Sequence, residues 1–304
     1  MRNRIIEISE SACRLRVEHS QLVIDRGTEI DGLFATKIPL EDLAAVVVAH
    51  PQVSYTQTVL AELSERGAAF ITCNRNRMPV GILLPLDANS VQTERFRRQL
   101  DLTIPRKKRL WAQIVKSKID MQARLLNEVH GDTFGLSPLL PLVRSGDTTN
   151  VEARAARRYW TALFGKEFRR DVDANNQNRF LNYGYAILRA ATARAICAAG
   201  LHPSLGLHHH NKYNSWCLAD DVMEPFRPTV DKVVVELISE VGAEAEMDQP
   251  VRAKLIGCLM NRVLVHDRQR TVLDALALVS ASLVDAMSRT EAKLTLPQEF
   301  SYAA

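Results

Sequence analysis

Three consecutive histidines, His208, His209 and His210, stand shortly before a tight acidic cluster of Asp220, Asp221 and Glu224. Imidazoles and carboxylates so close in sequence can meet around one divalent cation, and hard cations such as Mg²⁺ or Mn²⁺ take oxygen ligands. Two carboxylates and a histidine on one metal is an arrangement suited to phosphate esters. Asp221 and Glu224 are spaced i,i+3, which puts both on one face if the segment is helical. Pro225 and Pro228 place the start of regular helix near Glu224, so Asp220 or Asp221 as an N-cap and Glu224 as a first-turn charge is the competing reading. In an extended segment His208 and His210 face one side and His209 the other, and the pattern does not choose between them. Upstream, Asn150 would cap a helix whose first turn carries Glu152, either as a third carboxylate for the site or as a surface group favoured by the helix dipole.

The elements that must hold these residues change character along the chain. Ile5–Ile8, Cys13–Val17, Leu22–Ile24 and Ile30–Phe34 are short, partly alternating segments, and Ala44–Val48 is a continuous apolar run. Thr56 to Arg66 has helical spacing and stops at Gly67, before strands at Ala69–Thr72 and Val80–Leu84. Past Pro85 the period becomes helical, around Gln92–Leu100, Lys108–Glu128, Val151–Leu163, Asn178–Ala199, Thr229–Val241, Val251–His266 and Val272–Ser288. The expected fold class is α+β. A small N-terminal antiparallel β domain with one helix, residues 1–90, precedes a larger all-α domain, residues 91–304.

The 304 residues are 46% hydrophobic and 24% charged, which supports a globular core and argues against disorder. Net charge is only +4, but its distribution is uneven. Arg95, Arg97, Arg98, Arg106, Lys107, Lys108, Arg109, Lys116 and Lys118 form one basic stretch, and Arg154, Arg157, Arg158, Lys166, Arg169 and Arg170 form another. Two such runs flanking an acidic metal candidate suggest a surface for a phosphate backbone. Five scattered cysteines without a CxxC pair fit reduced thiols in a cytoplasm better than a disulfide framework or a structural zinc site. No export signal is read at the N-terminus, and no apolar run is long enough to span a membrane.

Three blocks carry a family resemblance: VEARAARRYW from Val151, NRFLNYGYAIL from Asn178, and GLHPSLGLHHHNKYNSWCLADDVMEPFRPTVD from Gly200. In order and spacing they resemble the CRISPR-associated integrase-nuclease that captures new spacers, and HHHN with LADDVMEPFRP is similar to its type II branch, subtype II-C. The resemblance places the family's metal-site glutamate on Glu152, its histidine on His209 three residues after Gly206, and its final acidic pair on Asp221 and Glu224. It implies that Glu152, His209 and Glu224 bind Mg²⁺ or Mn²⁺, with Asp221 as a ligand or a support.

The implied activity is metal-dependent cleavage and strand transfer on double-stranded DNA. Captured 3′-hydroxyl ends are joined into the repeat array by transesterification. Arg157, Arg158 and Arg227, nearest the ligands in sequence, are the candidate phosphate contacts. Tyr159 and Trp160 read as core anchors, and Tyr183 and Tyr185 as packing beside the site. The resemblance further implies a homodimer, formed through the N-terminal domain, joined to a small partner of the adaptation machinery in a heterohexamer. Two other readings compete: a DNA-binding scaffold without catalysis, and a phosphoesterase for small substrates.

Overall fold

A computed structural model describes residues 4–27, 35–85, 89–289 and 293–301. The strand expected at Ile30–Phe34 lies outside the described residues. Among the described residues, eight strands precede residue 86: β1 (Arg4–Ile8), β2 (Cys13–Glu18), β3 (Gln21–Asp25), β4 (Ala35–Pro39), β5 (Leu43–Val48), β6 (Val53–Tyr55), β7 (Ala69–Cys73) and β8 (Pro79–Leu83). Helix α1 (Gln57–Glu65) connects β6 to β7. The strands form two sheets, ordered β1-β5-β7-β8 and β4-β3-β2-β6.

The sheets are mixed rather than antiparallel as expected. β5 runs parallel to both β1 and β7, and β2 runs parallel to β6. Parallel neighbours need long crossovers. Here the β1-to-β5 crossover carries β2–β4, and the β5-to-β7 crossover carries β6 and α1. Alternation along β5 and β7 gives the first sheet two buried faces. Val46 and Phe70 join the core shared with Leu15, Leu22, Ile24, Val59 and Leu63, while Val47 and Ile71 turn toward the helices.

The helical part contains α2 (Gln92–Leu100), α3 (Ile104–His130), α4 (Val151–Phe164), α5 (Asn178–Ala198), α6 (Cys217–Met223), α7 (Arg227–Val241), α8 (Gln249–Gly257) and α9 (Val272–Ser288). It is not all-α. The helix expected over Val251–His266 ends at Gly257, and a 3-10 turn at Cys258–Met260 leads into β9 (Arg262–Val265). β9 pairs antiparallel with β10 (Arg268–Thr271) and β11 (Glu299–Ser301). His266 and Asp267 make the β9–β10 turn with left-handed φ of 48° and 59°, a job usually given to Asn or Gly. The apolar spacing of Leu255, Leu259 and Val263 continues a helical pattern across this break and hides it.

Helix α5 runs through the middle, buried along most of its length. Its Gly184 faces α7 so closely that a Cβ there would sit 2.4 Å from Val230 Cγ1. Within the described residues, no helix is long and apolar enough to cross a membrane.

Candidate active site

Four elements bring the ionisable groups together: the long helix α3, the first turn of α4, the loop before α6, and the α6–α7 junction. Asn150 does not cap α4. It takes a left-handed φ of 53° without a side-chain cap bond, and Asp147 reaches over instead. The Asp147 carboxylate accepts from the backbone N–H groups of Val151 and Glu152, each at 2.9 Å. This fixes the turn that presents Glu152.

The acidic cluster is helical earlier than the prolines suggest. Cys217–Met223 forms α6, Glu224–Phe226 a 3-10 turn, and Arg227 opens α7 with Pro228 in its first turn. Proline costs nothing there, because first-turn N–H groups have no intrahelical acceptor. Asp220 and Asp221 are therefore inside a helix and buried, and neither is its N-cap. Asp220 is occupied by Arg189 Nε at 2.6 Å and Asn214 Nδ2 at 2.7 Å.

Asp221 organises the histidine loop. Its Oδ2 accepts from the N–H groups of Leu207 (2.6 Å) and His208 (3.0 Å), and its Oδ1 from that of His209 (3.2 Å). His209 Nδ1 lies 2.6 Å from the same Oδ1. With Nδ1–H donated to the carboxylate, Nε2 is the nitrogen left to act. That bond raises the His209 pKa, burial opposes it, and the Asp221 and Glu224 charges raise it further. Gly206 makes the turn possible, since a Cβ there would fall 2.2 Å from the His209 carbonyl oxygen. His208 stacks flat on Trp111 of α3 at 4.3 Å, and the His209 ring meets the same indole edge-on at 5.8 Å. His210 turns back to the His208 carbonyl at 2.7 Å.

Glu152 and Glu224 converge on one positive centre. Lys118 Nζ of α3 lies 2.6 Å from Glu152 Oε1 and 2.6 Å from Glu224 Oε2. Lys118 donates a hydrogen bond to Glu152 and forms an ion pair with the buried Oε2 of Glu224. Arg227 Nε sits 2.8 Å from Glu224 Oε1. Burial would raise the Glu224 pKa, but Arg227 and then Lys118 overcome it and hold the carboxyl down to about 2. Among the described residues no three histidine, cysteine, aspartate or glutamate side chains close on a common point. Glu152 and Glu224 meet through Lys118, and His209 meets Asp221.

A buried support lies beneath. Asp231 of α7 accepts from Tyr159 Oη of α4 at 2.6 Å and from Tyr185 Oη of α5. Burial pushes its carboxyl up to about 6, against the two hydroxyls that lower it. The Tyr185 ring carries the Arg227 guanidinium 4.6 Å from its centroid and that of Arg170 at 5.4 Å.

A family model described as CRISPR associated protein Cas1 matches residues 6–263. The chain belongs to the Cas1 family. It is 35% identical over 288 residues to the CRISPR-associated endonuclease Cas1 of Neisseria meningitidis, covering 94% of this chain and 93% of that protein. A Pyrobaculum aerophilum protein described as CRISPR-associated endonuclease Cas1 2 is 27% identical over 253 residues, with 79% and 84% covered. Among solved structures, a casposase bound to integration product superposes with a TM-score of 0.75 at 19% identity, covering 97% of this chain and 92% of that one. A Cas1 protein from Thermotoga maritima superposes with a TM-score of 0.72 at 16% identity, covering 96% and 98%. These likenesses establish for this Cas1-family chain an α+β fold of N-terminal sheets and a helical C-terminal part.

The basic runs divide by what their side chains touch. Arg97, Arg109, Lys116, Arg154 and Arg157 are exposed, and no ion pair engages them among the described residues. Arg158 is exposed but anchored to the Gly135 carbonyl at 2.9 Å. Arg227 is turned inward, committed to Glu224 and the Tyr185 face. Tyr159 and Tyr183 are fully buried, Tyr185 nearly so, and Trp160 packs on Phe164 and Phe168.

Lys118 is the group the sequence reading misplaced, as one more member of a basic run. Its signal was present: Trp111, Ile114, Val115, Lys118, Gln122 and Leu125 form one stripe of α3 at helical spacing, and a lysine within an apolar stripe needs a buried anion.

Proposed function

We propose that this Cas1-family chain is a divalent-metal-dependent DNA endonuclease and integrase of CRISPR spacer acquisition, which joins 3′-hydroxyl ends of captured DNA into the repeat array. The observation that carries the reading is the pair of carboxylates, Glu152 and Glu224, converging within 2.6 Å of a single cationic centre, Lys118 Nζ. Two hard oxygen donors, with an imidazole whose Nδ1 is taken by Asp221 and whose Nε2 is left to act, suit Mg²⁺ or Mn²⁺ held by Glu152, Glu224 and His209 Nε2. Such a cation, when bound, supplies Lewis-acid polarisation of the scissile phosphate.

The protein's own groups do the rest. Asp221 keeps His209 oriented and leaves Nε2 free to take or give a proton at the reacting oxygens. Arg227, held by the Tyr185 ring, fixes Glu224 at Oε1. Exposed Arg157 and Arg158, with the neighbouring basic side chains, hold DNA phosphates in a salt-sensitive and sequence-tolerant way. A bound 3′-hydroxyl attacks the scissile phosphorus and loses its proton as the P–O bond to the departing strand oxygen breaks and that oxygen is protonated. This gives strand transfer, and water in place of the hydroxyl gives endonucleolytic cleavage.

The named activity of the relatives and the integration product in the casposase structure support this chemistry. Solved complexes described as Cas6-RT-Cas1–Cas2 support a small Cas2-type partner. Within this reading residues 1–90 form a dimerisation domain and 91–304 the catalytic domain. The chain acts in the cytoplasm as a homodimer within a heterohexamer and belongs to the type II branch, subtype II-C, a reading supported by the resemblance of HHHN and LADDVMEPFRP to that branch.

The test is integration of a short duplex into a repeat-containing plasmid, with and without the partner and Mg²⁺ or Mn²⁺. Strand transfer is expected to vanish on chelation and in Glu224→Ala and His209→Ala. Transfer that survives both treatments sinks the enzyme reading in favour of a DNA-binding scaffold.

A further inference from the structure

The placement of Lys118 has a consequence for how the carboxylate pair is loaded. Among the described residues its ammonium is the one cation touching both Glu152 and Glu224, and it reaches them from inside the α3 apolar stripe with only 12% of its side chain exposed. Two carboxylates this near each other, largely out of water, repel strongly without a cation between them. Lys118 and Arg227 offset the charges of Glu152 and Glu224, which weakens the pull of the pair on a dication entering beside them. An ammonium and a divalent ion cannot share the same two oxygens at contact distance.

We propose that Lys118 is a resident counter-cation that competes with divalent metal for Glu152 and Glu224. This inference rests on the metal reading of the preceding subsection and adds what the chain does before metal arrives. In the metal-free protein Lys118 holds the two carboxylates in place. Loading requires its ammonium to swing off them on a four-carbon stem that stays anchored in α3. Arg227 is not equivalent, because it touches only Glu224, on the opposite oxygen, and is stacked on Tyr185. Glu152 is free to move little, its turn being fixed by the Asp147 carboxylate.

The experiment measures Mn²⁺ binding to the full-length chain without DNA, by titration calorimetry and by the free-Mn²⁺ electron paramagnetic resonance signal. Lys118→Met and Lys118→Gln are expected to bind Mn²⁺ about tenfold tighter than wild type or more, since one positive charge beside a dication is removed. The thermal midpoint gives a second readout. In chelator both variants are expected to melt below wild type, and saturating Mn²⁺ is expected to raise their midpoints by more than it raises that of wild type. A purely structural lysine would lower the midpoint with and without Mn²⁺ and leave affinity unchanged or weaker, which would overturn the proposal.

Should the variants fail to fold, wild type alone decides the question. An amine-specific label read by mass spectrometry is expected to modify Lys118 faster once Mn²⁺ saturates the site, and an unchanged rate overturns the idea. Glu224→Ala separates the two levels of inference. Mn²⁺ binding that depends on Glu224 but is no tighter in the Lys118 variants sinks the competition and leaves the metal reading standing. No Mn²⁺ binding by any form removes both.

Discussion

The acidic pair Asp221 and Glu224 has one spacing and two occupations. Glu224 faces cations on both sides, whereas Asp221 spends both oxygens on the loop from Leu207 to His209. Asp221 thus acts through His209, as a carboxylate that orients an imidazole. Asp221→Asn tests this sharply, because an amide presents N–H donors to a loop that offers only N–H donors. Strand transfer is expected to fall by about tenfold to a hundredfold. The His209 imidazole pKa, read by NMR, is expected to drop with the loss of its carboxylate partner, while Glu224-dependent metal binding survives. The G-x-x-H and i,i+3 acidic spacings singled out His209, Asp221 and Glu224, and the structure joins His209 to Asp221 and Glu224 to Glu152 through Lys118. Which carboxylate faces the cations and which holds the histidine loop was not legible, since that depends on a loop folded back onto α6.

Between elements, fit depends on glycine and on buried polar links. The α5–α7 contact exists because Gly184 has no side chain; Gly184→Ala drives a methyl into Val230. A loss of about 1–3 kcal/mol in chemical denaturation is expected from such overpacking. The double variant with Val230→Ala is expected to recover a substantial part of it.

The same two helices share Asp231 with α4. Its carboxyl is held at about 6 against an ordinary 3.8, so the folded state keeps a proton that the unfolded chain loses. Stability contributed by this group is fully present below pH 4 and is lost as pH rises through 6, by an amount on the order of 3 kcal/mol. In Asp231→Asn that fall between pH 4 and 6 is expected to disappear, seen by comparing urea midpoints of the two proteins across the window. Helices as periodic as α2, α4 and α9 were readable nearly to the residue. Helix α6 was hidden because it is short and buried on all sides, and because two prolines beyond it mimic a later start.

Over the whole molecule, sequence pattern reported the sum of charge better than its use. The basic stretch from Arg95 to Lys118 reads as one surface, yet its last member is a core residue facing two acids. Arg227 is likewise taken up internally although it adjoins a site residue. DNA affinity is therefore expected to follow the exposed subset. Reversing Arg154 and Arg157 to glutamate should weaken duplex binding and flatten its dependence on salt, by roughly one unit of logarithmic slope for each phosphate that is no longer neutralised. Fluorescence anisotropy over a salt series measures both, and an unchanged slope would remove these residues from the interface. The mixed sheets and the β9–β11 sheet escaped sequence reading for a related reason. Strand direction and long-range pairing are settled by crossovers, and a hairpin turned by His266 and Asp267 carries none of the usual glycine signal.

The sheet with two buried faces limits how the chain can be divided. Val46 and Phe70 belong to one core while Val47 and Ile71 belong to the other. A cut near residue 90 would strip the helices from a sheet face built of Ala45, Val47, Ala69 and Ile71, leaving a sticky fragment rather than a module. Fusions and crystallisation variants are better begun from the intact chain. β5 and β7 thus tie the two cores together, so a change in either strand is felt on both faces.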